Sequence, residues 1–325
     1  MHRRRFVALG ASALASPALL RVARADAFPS RNVRLVVPFP PAGAVDVAAR
    51  IIANQLSQQW GLQMIVENKG GAGGNIAAMS VVNAEADGYT VYICSIGHAI
   101  NQFMYPNMGY DPVADFAPVT LMCVYPNIMA VPLSSPDHSV QDYIARAKAN
   151  PGRVTYCSSG VGTSLHLCGE LFKRMAGIEL THIPYRGAGP ALNDLIPGRV
   201  DAIFANFPST LPLVQAGQLR GLAVTTAQRQ HEVPDLPAIA EIVPGYDVSS
   251  WFALFVSAKT PPELVARLNR DAVEALNAPA VKERYAQLGA QVVASTPAAL
   301  ATHLKSEMDR WGPIIKAAGI TVDKS

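Results

Sequence analysis

Two short glycine-rich stretches, KGGAGGN at 69–75 and SSGVGTS at 158–164, hold residue types that can cradle an anion: bare backbone N–H groups and hydroxyls just ahead of helical sequence. Neither is a nucleotide loop. A Walker loop needs Lys and then Ser or Thr after its last glycine, whereas Gly74 is followed by Asn75 and Ile76. A dinucleotide fingerprint needs a third glycine where Ile76 stands in the first stretch and Leu165 in the second. What remains is a neutral donor set at Ser158, Ser159, Gly162, Thr163 and Ser164, although plain flexible turns would account for either cluster alone. Catalytic patterns are sparse. There is no Gly-x-Ser-x-Gly elbow and no His-Glu-x-x-His pair. His98 and His166 adjoin the loops and each could act as a base, but neither has an evident nucleophile partner in the sequence. His182 reads as structural. The scattered acidic residues suggest no glycosidase pair. Cys94, Cys123, Cys157 and Cys168 lack metal-ligand spacing; Cys157 with Cys168 is a conceivable disulfide, and buried small hydrophobes is the plainer reading.

A third junction, VRLVVPFPPAGAVDVAAR at 33–50, runs from a strand-like segment through Pro38–Ala44 into a helix. Prolines stiffen the turn, Ala42, Gly43 and Ala44 leave its backbone bare, and a helix starting near Val45 or Asp46 would offer unpaired N–H groups to a carboxylate. Asp46 suits a cap better than an anion ligand. The junction is either a plain turn or an anion site. In PYRGAGPALNDLIPGRVDAIFAN, Arg186 either pairs a substrate carboxylate or pins its loop through backbone carbonyls, and Asn206 follows a strand end.

These loops need elements to hold them. Strand-like VRLVVPF, MIVEN, YTVYICS, RVTYCSS, LTHIPY and VDAIFAN alternate with helix-like segments such as DVAARIIANQLSQQW, SVQDYIARAKAN and TSLHLCGELFKRMAG. The rhythm predicts an α/β fold with largely parallel sheets. The pattern changes near Tyr125–Asn127 and again near Pro244–Asp247, before the aromatic strand SSWFALFVS and a run of helices. Two lobes are expected, with separate sheets holding VRLVVPF and RVTYCSS: residues 26–127 with 246–325 as lobe 1, and 128–245 as lobe 2. The ligand cleft then lies between them.

The first 25 residues, with Arg3-Arg4-Arg5-Phe6, an Ala-rich apolar run and Ala23-Arg24-Ala25, read as a signal peptide of twin-arginine or general secretory type, with Asp26 the first mature residue. The whole chain has 27 basic and 24 acidic residues; without the leader's five arginines the balance is 22 to 24, a net charge of −2. No basic stripe suggests nucleic acid.

Seven blocks in order (VPFPPAGAVDVAARIIANQLSQ, VENKGGAGGNIAA, ADGYTVYICSIGHAINQFMY, SSGVGTSLHLCGELFK, HIPYRGAGPALNDLIPGRVDAIFAN, LRGLAVTT and PGYDVSSWFALF) resemble the Bug-type receptors, extracytoplasmic solute-binding proteins of tripartite tricarboxylate transporters. The resemblance implies a two-lobed, type II-like periplasmic binding protein that closes on a small organic carboxylate and hands it to the transporter's membrane subunits. It implies no enzyme activity, no cofactor and no metal, and a monomer is expected. Carried onto this chain, it points to Phe39, Ala42, Gly43, Asp46, Ser95, His98, Ser159, Thr163, Ser164, Gly187, Ala188 and Asn206 as ligand-binding residues. Three departures bear on the ligand: Ala42 replaces a usual glycine, Val45 a usual Thr or Ser, and Ala205 a usual Asp. A pocket made more apolar in this way is expected to prefer a compact mono- or dicarboxylate, aromatic acids included, to citrate. An exported hydrolase using His98 or His166, or a receptor serving a sensor kinase, are the alternatives.

Overall fold

The computed structural model describes residues 28–317 and 319–322, so the leader and Asp26 lie outside the described residues. The chain opens as β1 (Val33–Val37), α1 (Ala44–Trp60), β2 (Met64–Asn68), α2 (Asn75–Val82), β3 (Thr90–Cys94) and α3 (Gly97–Met104). A long strand, β4 (Phe116–Pro132), carries it across the molecule. There it forms α4 (Val140–Ala149), β5 (Thr155–Ser158), α5 (Ser164–Ala176), β6 (Thr181–Pro184), α6 (Ala188–Leu195), β7 (Ala202–Asn206), α7 (Phe207–Gln215) and β8 (Leu219–Val224). Strand β9 (Ser249–Ser257) brings it back to α8 (Pro262–Asn277), α9 (Pro279–Gln287), β10 (Gln291–Val292) and α10 (Pro297–Ala317).

Strands β1 and β3 are near-continuous apolar runs because they are covered on both faces: β3 is buried throughout, and only Arg34 of β1 is exposed. Helix α1 buries Val45, Ala48, Ala49, Ile52, Ala53 and Leu56, a stripe at helical period. It ends at Gly61, whose left-handed φ of 66° closes the helix without a Cβ penalty.

Two findings correct the sequence-based expectation. The sheets are mixed: β1–β2, β1–β3, β5–β6 and β5–β7 are parallel, while β4 and β9 are antiparallel to each other and to β3, β7, β8 and β10. The two sheets are also joined, in the order β2-β1-β3-β9-β4-β7-β5-β6, so one path of paired strands holds both VRLVVPF and RVTYCSS. The cause is the length of β4. Its Phe116–Pro126 portion pairs with β9, and from Asn127 it pairs with β7 and, from Ile128, with β8. Irregular register at Pro118–Thr120 and Leu121–Cys123 interrupts its pairing with β9 within the first lobe. The two-lobed fold stands, with one strand serving both sheets.

Helices α3 and α7, absent from the sequence reading, occupy GHAINQFM and FPSTLPLVQ. The first is short, and the second carries Pro208 at its start and Pro212 inside, which hides its helical pattern. All four cysteines are free and buried, so Cys157 and Cys168 act as small hydrophobes.

Candidate functional site

A cavity of about 270 Å³ opens between the lobes, beyond the carboxyl ends of the parallel strands. One wall comes from the β1–α1 loop, Phe39 to Val45, with Ser95 and Phe252. The opposite wall is Ser159, Thr163–Leu165, Arg186–Pro190, Leu192, Asn206 and Ser209. Four helices start on these walls: α1 after Gly43, α5 after Thr163, α6 after Gly187 and α7 after Asn206. The caps of α1, α6 and α7 make no side-chain cap bond, so their first-turn N–H groups and positive dipole ends are available to an anion. The Ser95 and Ser159 hydroxyls make no hydrogen bond among the described residues, though both line the cavity.

Ten of the twelve sequence-predicted residues therefore line one cavity: Phe39, Ala42, Gly43, Ser95, Ser159, Thr163, Ser164, Gly187, Ala188 and Asn206. Asp46 and His98 do not. Asp46 is 2 % exposed and lies behind the β1–α1 loop. It accepts hydrogen bonds from Ala42 N–H (2.9 Å), Arg50 (2.9 and 3.0 Å) and Asn68 (2.9 Å). Burial alone would raise its pKa, but these bonds and the Arg50 charge outweigh it and hold the carboxyl below its ordinary value. Asp46 shapes the loop from behind, since Ala42 sits at φ 67°, a left-handed backbone that its N–H bond to Asp46 helps to fix. Asn68 ties in Phe39 through its carbonyl at 2.9 Å.

His98 is buried behind the wall against Tyr92, Phe116 and Phe255, with Nε2 3.0 Å from the Pro112 carbonyl. Burial holds its pKa down to about 4, so it is neutral, and among the described residues its ring hydrogen-bonds only to that carbonyl. His166 is buried too. Its Nδ1 accepts the Gly162 N–H at 3.2 Å, its ring stacks on His182 at 4.2 Å, and burial, helped by the Lys173 charge, lowers its pKa to about 4. His182 Nε2 lies 2.7 Å from Ser158 Oγ, but Ser158 is fully buried and the same oxygen accepts the Gly160 N–H. These imidazoles hold the 158–163 loop in place. Gly162, at φ 78°, abuts Met104 of α3, so this loop touches the opposite lobe where a Cβ would collide.

Two predicted donors are already committed. The Thr163 hydroxyl donates to Gly160 O (2.8 Å) and accepts the His166 N–H, capping α5. Both Asn206 Nδ2 protons are used, toward Asn127 Oδ1 (2.7 Å) and Ser250 Oγ (2.6 Å), which leaves an acceptor for a ligand hydroxyl. Ser250 Oγ is in turn 2.6 Å from Ser164 Oγ, linking β9 to the start of α5 across the floor of the cleft. Ser250, Asn127 and Phe252 escaped sequence reasoning, since within apolar strands nothing distinguishes a floor residue from core. Arg186 lines the cavity, is exposed, and makes no hydrogen bond or ion pair among the described residues, so pinning its loop is not its role.

Residues 48–320 match the family model described as the tripartite tricarboxylate transporter family receptor. The chain belongs to this family. The receptor is 33 % identical to the protein BugT of Bordetella pertussis (strain Tohama I) over 98 % of this chain and 99 % of BugT. Its fold is similar to that of Rpa4515 of R. palustris, solved with adipate (TM-score 0.87, 41 % identity, 91 % of this chain and 100 % of that one). It is also similar to MatC of Rhodopseudomonas palustris, solved with bound malate (TM-score 0.83, 30 % identity, 89 % and 100 %). Among the described residues no helix is long and apolar enough to cross a membrane.

Proposed function

We propose that this receptor captures a small organic carboxylate in the periplasm and delivers it, chemically unchanged, to the membrane subunits of a tripartite tricarboxylate-type transporter. The observation that carries the reading is the convergence of four helix starts, from both lobes, on one cavity with no acidic side chain in its wall among the described residues. Oriented N–H groups stabilise a carboxylate through charge-assisted hydrogen bonds without an opposing ion. Adipate and malate in the related structures support the ligand class. Binding without chemistry is supported by His98 and His166, both neutral, buried and spent on structure.

The lobe limits proposed are 26–127 with 246–325, and 128–245. The change of partners in β4 between Pro126 and Asn127, and the pairing of Ser249 back onto Pro126, support them. A thermal-shift panel of mono-, di- and tricarboxylates tests the reading. A ligand at a hundred times its dissociation constant stabilises the fold by about 2.7 kcal/mol. A panel with no shift would remove the carboxylate from the proposal.

A further inference from the structure

The ionisable side chains of the cavity wall reduce to one. Of the described residues around it, only Arg186 carries a charge, and no Asp, Glu, Lys or His joins it there. Its backbone is held on both sides: Tyr185 N–H donates to Ser158 O at 3.0 Å, and Gly187 N–H donates to Ser159 O at 3.2 Å. Arg186 is thus mounted at a fixed point between the two strand-end loops that build the second wall. The next acid downstream, Asp194, does not neutralise it, because its carboxylate is taken by the Tyr185 hydroxyl (2.7 Å) and by Arg199 (2.7 Å). Arg186 thus combines a backbone held on both sides, a place in the cavity wall and a side chain unpaired among the described residues, and its guanidinium is suited to a planar, bidentate anion.

The rest of the wall explains why this matters. Neutral donors at the helix starts can hold one carboxylate, but they supply little for a second negative charge, which in an otherwise apolar cavity needs a counter-ion. Resting on the carboxylate reading above, we infer that Arg186 is the specificity-determining residue that reads a second carboxylate. The receptor thereby selects dicarboxylic acids over monocarboxylic acids of equal length.

Calorimetric titration of the purified receptor with adipate and with hexanoate, which has the same carbon count and one acid group fewer, tests this. The wild type is expected to bind adipate about tenfold more tightly, a ratio that corresponds to about 1.4 kcal/mol. In Arg186→Gln the adipate-to-hexanoate ratio is expected to fall toward one, and Arg186→Lys, a point charge without the fork, to fall between. Because Arg186 is exposed, the wild-type ratio should also shrink as salt rises from about 0.01 M to about 1 M, where the Debye length drops from about 30 Å to about 3 Å. A wild-type ratio near one, or an unchanged ratio in Arg186→Gln, overturns this inference and leaves the carboxylate reading standing. Wild-type binding of neither acid overturns both.

Discussion

Asp46 shows how a charged residue beside a binding loop can serve it from behind. Its two oxygens collect four hydrogen bonds, and one of them fixes the left-handed Ala42 that lets the loop present bare backbone to the cavity. Asp46→Ala leaves Ala42 N–H, Asn68 and the Arg50 guanidinium without their acceptor, and is expected to destabilise by about 1–3 kcal/mol and to weaken ligand binding. Denaturant melts and titration of the same variant check both effects. Ala42→Gly has the opposite sign: relieving a left-handed alanine is worth roughly 1–2 kcal/mol, partly offset by glycine's greater freedom when unfolded. A net gain of about 0.5–1 kcal/mol is expected, read as a higher denaturation midpoint. Much of the cavity wall was legible in the sequence, since bare loops between strand and helix can be recognised from Pro, Gly, Ser and Thr alone. The side a residue faces was not. Asp46, in the first turn of α1, folds back onto Ala42 N–H and Asn68, and His98, in the first turn of α3, turns into the packing of Tyr92, Phe116 and Phe255, directions set by tertiary partners and not by the loop sequence.

At the scale of elements, the 158–163 loop hangs on two imidazoles packed face to face. His166 takes the Gly162 N–H and must stay neutral at Nδ1 to do so, while Glu170 sits 3.9 Å from its Nε2 and is itself bound by Tyr156 and Lys173. Burial lowers the pKa of His98 and His166 to about 4 and that of His182 to about 3. The unfolded chain, with histidines near 6.5, then binds more protons than the fold once pH drops below that value. Stability is expected to be full above about pH 6.5 and to fall as pH drops toward 4. Between about pH 6.5 and 5 the loss is on the order of 2 kcal/mol for each of His98 and His166. Urea melts across this range measure it. His166→Gln keeps an acceptor for Gly162 without a titrating group and should flatten the slope; an unchanged slope would exclude His166 from it. The strand-helix alternation was readable because its apolar periods are clean. Strand β4 was only half readable: the change near Tyr125–Asn127 marked a passage between lobes, but nothing local showed that one 17-residue strand runs through it and pairs in both sheets.

The whole molecule joins these parts through a floor of polar contacts between lobes. Ser250 on β9, Asn127 on β4, Asn206 at the end of β7 and Ser164 at the start of α5 share one hydrogen-bond cluster, so strands and helix starts that line the cavity are held by the same groups. With that floor set, the cavity can be only as anionic as its donors allow: Ala42, Val45, Leu165 and Phe252 give it an apolar lining, and a single arginine stands at its wall. Under the proposed function, this cavity binds a compact organic acid. Calorimetric titration with adipate and citrate tests it most directly, in the wild type and in Ser164→Ala. The prediction is one saturable site for adipate, weaker binding of citrate, and a loss of about 0.5–3 kcal/mol on removing the Ser164 hydroxyl. Citrate binding more tightly than adipate, no saturable heat with either, or adipate affinity unmoved in Ser164→Ala would contradict it.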